Sequence, residues 1–137
     1  MLYMKDNNQK VYQLNAIKLA YMGDSVFTTY IRRYFILNTD NKNSQLNKIV
    51  NQIVCAVNQA KIMEKICGNL NETEQEIANR AKNLHFNNIA KNSTPEQYTK
   101  ATEFEAVLGY WYLTEQYDKI EQVVNISLEM YYDSGRN

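Results

Sequence analysis

Ten consecutive residues, Phe104 to Leu113, read F-E-A-V-L-G-Y-W-Y-L and carry a single charge, on Glu105. A helix made of them has almost no wet face, so Glu105 must be at least partly buried. An unpaired buried carboxylate is costly, and Glu105 therefore needs a proton, a cationic partner or a metal ion. Asp24 poses the same problem. The spacing of three and four in Leu14, Ile17, Tyr21, Asp24, Thr28, Ile31 and Phe35 draws one stripe of a helix in which Asp24 is the only acid. Two carboxylates, each set into an apolar helix face, are expected to meet.

The rest of the chain favours helices. With 137 residues the length suits one domain with a real core. Four glycines and one proline leave few turns. About five helices and no strand are expected. The first runs from Asn15 to Leu37. A second opens at Ser44 and continues to Gly68, with Leu46, Ile49, Val50, Ile53, Val54 and Val57 on its buried side. Thr73 and Glu76 have capping-box spacing and open a third, to about Leu84. Thr94-Pro95-Glu96-Gln97 is a strong start for the helix that carries Glu105. A last helix covers Asp118 to Tyr132.

Other functional classes lack support. The 15 basic and 15 acidic residues cancel, so a nucleic-acid partner must be argued from local clustering. One such cluster exists between Ile77 and Lys100: Arg80, Lys82, Lys91 and Lys100 against Glu96 alone, a net +3, with His85, Asn83 and Asn92 interspersed. Lys, Arg and Asn donors suit phosphate oxygens; a plain solvated loop is the bland alternative. Cys55 and Cys67, with no histidine nearby, do not make a zinc centre and are expected to be reduced core residues of a cytosolic protein. The sole histidine, His85, has no nucleophile close in sequence. No signal peptide or membrane span is visible. Tyr110, Trp111 and Tyr112 face three directions of one helix and are expected as core or dimer contacts rather than base-stacking platforms.

Two segments are familiar. Leu14-Asn15-Ala16-Ile17-Lys18-Leu19-Ala20-Tyr21-Met22-Gly23-Asp24-Ser25-Val26 resembles the ribonuclease III signature in the form used by the Mini-ribonuclease III family, and Phe104 to Leu113 resembles that family's second catalytic helix. Arg80-Ala81-Lys82-Asn83, Lys91-Asn92 and Tyr98 fall between them where the family has matching residues, and Ser134-Gly135-Arg136 resembles its C-terminal ending.

The resemblance implies an all-α, ribonuclease III endonuclease-domain-like fold over a single domain, 1–137. It implies an Mg²⁺-dependent homodimeric endoribonuclease, with Mn²⁺ as a substitute, that cleaves double-stranded RNA and matures the large-subunit ribosomal RNA precursor in the bacterial cytoplasm. A ribosomal protein is a candidate helper, and no membrane is involved. Asp24 and Glu105 carry over as the catalytic, metal-holding acids. Arg80, Lys82, Asn83, His85, Lys91 and Asn92 are expected to form an RNA clamp. Two further acids of ribonuclease III are Ala20 and Thr102 here, losses that the mini family shares. The alternative is a catalytically weak or inactive helical RNA-binding or ribosome-assembly module, and those two losses are its support.

Overall fold

A computed structural model of the protein describes residues 8–84 and 93–135. Among them are seven α-helices, α1 (Asn8–Gln13), α2 (Ala16–Asn38), α3 (Asn43–Val54), α4 (Ala56–Ile66), α5 (Glu72–Lys82), α6 (Pro95–Leu113) and α7 (Tyr117–Asp133), with a 3₁₀ turn at Cys67–Asn69 and no strand. The all-α expectation holds.

Helix α6 is the axle. Thr94 accepts from the Gln97 amide while Gln97 accepts from the Thr94 amide, and Pro95 fills the first helical position, as its sequence announces. Helices α2, α4 and α5 pack around it, which accounts for a sequence with no polar face. Phe104 meets Phe27 edge-on with ring centroids 5.1 Å apart. Leu108, Ile62, Met63 and Ile77 fill the space on the other sides.

Several sequence readings need correction. The expected helix from Ser44 to Gly68 is two helices, because Cys55 adopts an extended conformation between them. No glycine or proline marks this elbow. The signal lies just beyond it: Asn58 donates to the Gln52 carbonyl at 2.6 Å and Gln59 to the Val54 carbonyl at 3.0 Å, so side chains of α4 satisfy carbonyls that a straight helix would have used. Both cysteines are free and exposed, not core, because each sits at a helix end. The third expected helix opens earlier than its sequence suggests: Asn71 and Glu74, not Thr73 and Glu76, form the capping box.

Glu74 does more than cap. Its Oε2 accepts from Trp111 Nε1 at 2.7 Å and from Lys119 Nζ at 2.6 Å, tying α5, α6 and α7 together. Burial pushes this carboxyl up, but Lys119, the Asn71 amide and Trp111 more than offset it and hold it below the usual range. Trp111 is thus core, and Tyr112 is a partly exposed residue edge-on to Tyr117 at 5.9 Å. No helix among the described residues is long and apolar enough to cross a membrane.

The stripe drawn through α2 is also wrong in its first half. The buried residues are Ala16, Leu19, Ala20, Gly23, Val26, Phe27, Ile31 and Phe35. Ile17 and Tyr21 are exposed by 57% and 85%, and Asp24 is exposed with them. Two rows with the same period run along this helix, and apolar type alone does not say which one faces α6.

Candidate active site

The site begins with two glycines. Helices α2 and α6 cross where Gly23 faces the backbone at Glu105 and Gly109 faces the backbone at Leu19. A Cβ on Gly23 would overlap the Glu105 carbonyl oxygen, and one on Gly109 would overlap that of Leu19. Only glycine permits this approach. Asp24 follows Gly23 directly, so the crossing delivers its carboxylate to Glu105.

The two carboxyls line one cleft and act on each other. Burial, then the hydrogen bond and the charge of Asp24, push the Glu105 carboxyl up to about 8, and a hydrogen bond from Gln59 works against them. At neutral pH Glu105 therefore holds a proton much of the time. This is the behaviour of two close acids without a cation. The expected meeting of Asp24 and Glu105 takes place, although Glu105 supplies the burial and Asp24 reaches it from the exposed side.

They share a cleft of about 420 Å³. Ile17, Ala20 and Tyr21 of α2 form one wall, Tyr98, Ala101 and Thr102 of α6 another, and Val54, Ala56 and Gln59 at the α3–α4 elbow the third. Among the described residues no Lys or Arg lines it, and neither ion pair involves Asp24 or Glu105. The simplest non-functional account, each acid neutralised by a basic side chain, finds no such residue among those described. Ala20 and Thr102 stand in the walls, so the two positions at which ribonuclease III carries extra acids do face the same space. The Thr102 hydroxyl donates to the Tyr98 carbonyl at 2.9 Å.

The donor set suits Mg²⁺. That ion keeps several waters and takes one or two carboxylates together with substrate phosphates. Among the described residues no cluster of three or more His, Cys, Asp or Glu is placed to hold an ion. Two carboxylates beside an open cleft are therefore the whole anionic contribution there.

The clamp residues divide. Arg80 turns inward: its guanidinium donates to the Tyr12 and Leu14 carbonyls at 2.8 and 3.1 Å and lies 5.0 Å over the Tyr12 ring, fastening the α1–α2 junction. Lys82 and Asn83 are exposed at the end of α5. His85, Lys91 and Asn92 lie outside the described residues. Gln59, buried in the cleft wall, is a residue that sequence reasoning misses. Its one clue is an amide among the apolar residues of that helix.

Known proteins share this arrangement of sequence and fold. The Ribonuclease III domain matches residues 17–116. A protein of Clostridium tetani called Mini-ribonuclease 3 is 35% identical over 94% of this chain and 86% of its own length. One of Streptococcus pneumoniae with the same name is 36% identical over 82% and 89%. A crystal structure of a Fusobacterium nucleatum protein superposes with a TM-score of 0.78 at 32% identity, covering 84% of this chain and 92% of that one.

Proposed function

Since the chain belongs to the Ribonuclease III domain family, in its Mini-ribonuclease 3 branch, and is an endoribonuclease of that type, we propose that it hydrolyses double-stranded RNA with Mg²⁺ held by Asp24 and Glu105. The observation that carries this reading is a pair of carboxylates brought together in a cleft that no cation among the described residues lines. A divalent ion bound there would neutralise charge on the scissile phosphate and make a water nucleophilic near pH 7. Asp24, on the exposed side, is the acid that incoming solvent and substrate meet first. Glu105, on the buried side, would hold the ion as a carboxylate, without its proton. The test is cleavage of a generic duplex RNA, which should require Mg²⁺ or Mn²⁺ and stop in EDTA. Binding without cleavage in either metal would return the chain to a non-catalytic RNA-binding module.

The biological substrate in this reading is the precursor of large-subunit ribosomal RNA in the cytoplasm, the role that the branch suggests, with a ribosomal protein as a candidate helper. The active form is a homodimer. One chain offers one carboxylate pair, whereas a duplex has two strands, and a two-fold pair places one site on each. Ile17 and Tyr21 beside the cleft, and Ile36 and Leu37 farther along α2, leave large apolar side chains exposed, between 57% and 85%. Sedimentation at micromolar concentration should give twice the 16.1 kDa of one chain; a monomer would contradict the dimer.

RNA is gripped by Lys82 and Asn83 together with His85, Lys91 and Asn92, while Arg80 is spent on Tyr12 and Leu14. The double replacement Lys82→Ala and Lys91→Ala should weaken RNA binding. It should also flatten the slope of log affinity against log salt by roughly 0.9 for each phosphate no longer neutralised, by analogy with duplex DNA. Turnover at saturating RNA should hold. An unchanged slope would make this segment a solvated loop.

A further inference from the structure

Gln59 is a buried polar side chain, 3% exposed, in the wall of a cleft that otherwise offers the acids few partners. A buried amide is costly unless its donors are used. Nε2 donates to the Val54 carbonyl at 3.0 Å, across the α3–α4 elbow. The same side chain lines the cleft together with Glu105, and its amide works to draw the Glu105 carboxyl back down against burial. The elbow makes this reach possible. Had α3 and α4 continued as one helix, the Val54 carbonyl would have been occupied by the backbone amide four residues on, and Gln59 would have had no anchor.

We propose that Gln59 is the positioning residue of the carboxylate site: its amide, pinned to the Val54 carbonyl, fixes the direction in which Glu105 presents its oxygens to a divalent ion. The inference rests on the reading of Asp24 and Glu105 as metal ligands. Gln59 does not touch the ion; it acts through Glu105. A carboxylate on a mobile three-bond stem must be ordered before it can serve as a ligand, and hydrogen bonds to ligating carboxylates are a general way to achieve that. Their loss typically costs about 10- to 100-fold in metal affinity. A neutral amide can direct Glu105 without competing with the ion for its charge, as a lysine or arginine would, and among the described residues neither lines the cleft.

The experiment is Mn²⁺ binding to the metal-free, full-length protein without RNA, followed by the electron paramagnetic resonance of free Mn²⁺, with melting temperature measured alongside. Gln59→Leu should weaken Mn²⁺ binding by roughly 10- to 100-fold. Gln59→Met, which keeps the length of the chain but not its donor, should do the same and serves if the leucine variant folds poorly. Asn58→Ala is the control. It removes the neighbouring elbow bond, to the Gln52 carbonyl, and should leave Mn²⁺ affinity within about twofold. Equal weakening in the Asn58 and Gln59 variants would reduce the effect to the elbow's shape and overturn the proposal, as would unchanged affinity in both Gln59 variants. If the unaltered protein bound no Mn²⁺, or if Asp24→Asn bound it as well as the unaltered protein, the metal-site reading itself would fall, and this inference with it.

Discussion

Asp24→Asn and Glu105→Gln are each expected to abolish cleavage of duplex RNA in Mg²⁺, by at least about a thousandfold, while leaving the fold intact. A thousandfold corresponds to about 4 kcal/mol of transition-state stabilisation, a modest demand for an essential ligand in a site that has only two acids. Both replacements are close in shape, so they remove charge without opening a cavity. Stability should move the other way. In the absence of metal, Glu105 has a folded-state value near 8 against an ordinary 4.5. The folded protein therefore binds this proton more tightly than the unfolded chain does. The stability so gained is complete below about pH 4.5 and is lost as pH rises towards 8. A glutamine cannot ionise. In EDTA the melting temperature of Glu105→Gln relative to wild type should therefore climb between about pH 5 and 8 and level off above that. Circular dichroism melts at the two ends of this window give the sign directly. A variant that cleaves at near-normal rate would remove its residue from the site. An advantage independent of pH would mean that Glu105 titrates as an ordinary surface acid.

Gly109→Ala should be nearly as damaging to the fold as the first pair is to the chemistry. The added methyl group would overlap the Leu19 carbonyl and press on the Gly23 amide, 3.1 Å away. All these neighbours are backbone, so no rotamer change relieves the overlap and the two helices must separate. Overpacking of a rigid contact costs about 1–3 kcal/mol and occasionally more, and the upper end applies here. For a domain of this size about 3 kcal/mol lowers the melting temperature by roughly 10 °C. Activity should fall further than stability explains, because the crossing sets the distance from Asp24 to Glu105; about 1 Å of misplacement can cost a hundredfold. Gly68→Ala is the comparison. Nothing lies within 4 Å of a methyl group there, and the change should stay within about 0.5 kcal/mol. A Gly109→Ala protein that melts with wild type would show that the helices do not meet so closely.

The sequence by itself determined the composition of the central helix and the chemistry that it had to carry. Nine uncharged residues around Glu105 leave no wet face, so this segment had to be enclosed, and an enclosed carboxylate had to find a proton, a cation or a metal. The start of α6 was equally legible, because Thr94, Pro95 and Gln97 act within one turn and need nothing distant. Gly23 was legible only as part of a motif, and Asp24 was singled out by a stripe whose first half the fold leaves exposed.

Tertiary structure decided the rest. Period alone did not choose between the rows Ile17-Tyr21-Asp24 and Leu19-Gly23-Val26-Phe27 of α2, since both fit a helix. The close crossing chose: it needs glycine at the contact, turns Gly23 inward, and so leaves Asp24 at the rim. The break at Cys55 was equally hidden. No helix-breaking residue marks it, and its supports, Asn58 and Gln59, bond to carbonyls five and six residues back that become available only once the chain has turned. Arg80 had the look of a phosphate ligand in a basic run, yet its guanidinium is used on Tyr12 and Leu14, more than sixty residues earlier. Local rules fix caps and periods because their partners lie within a turn. Which face is buried, where a helix bends and whether a cation is free all depend on partners that only the folded chain brings near.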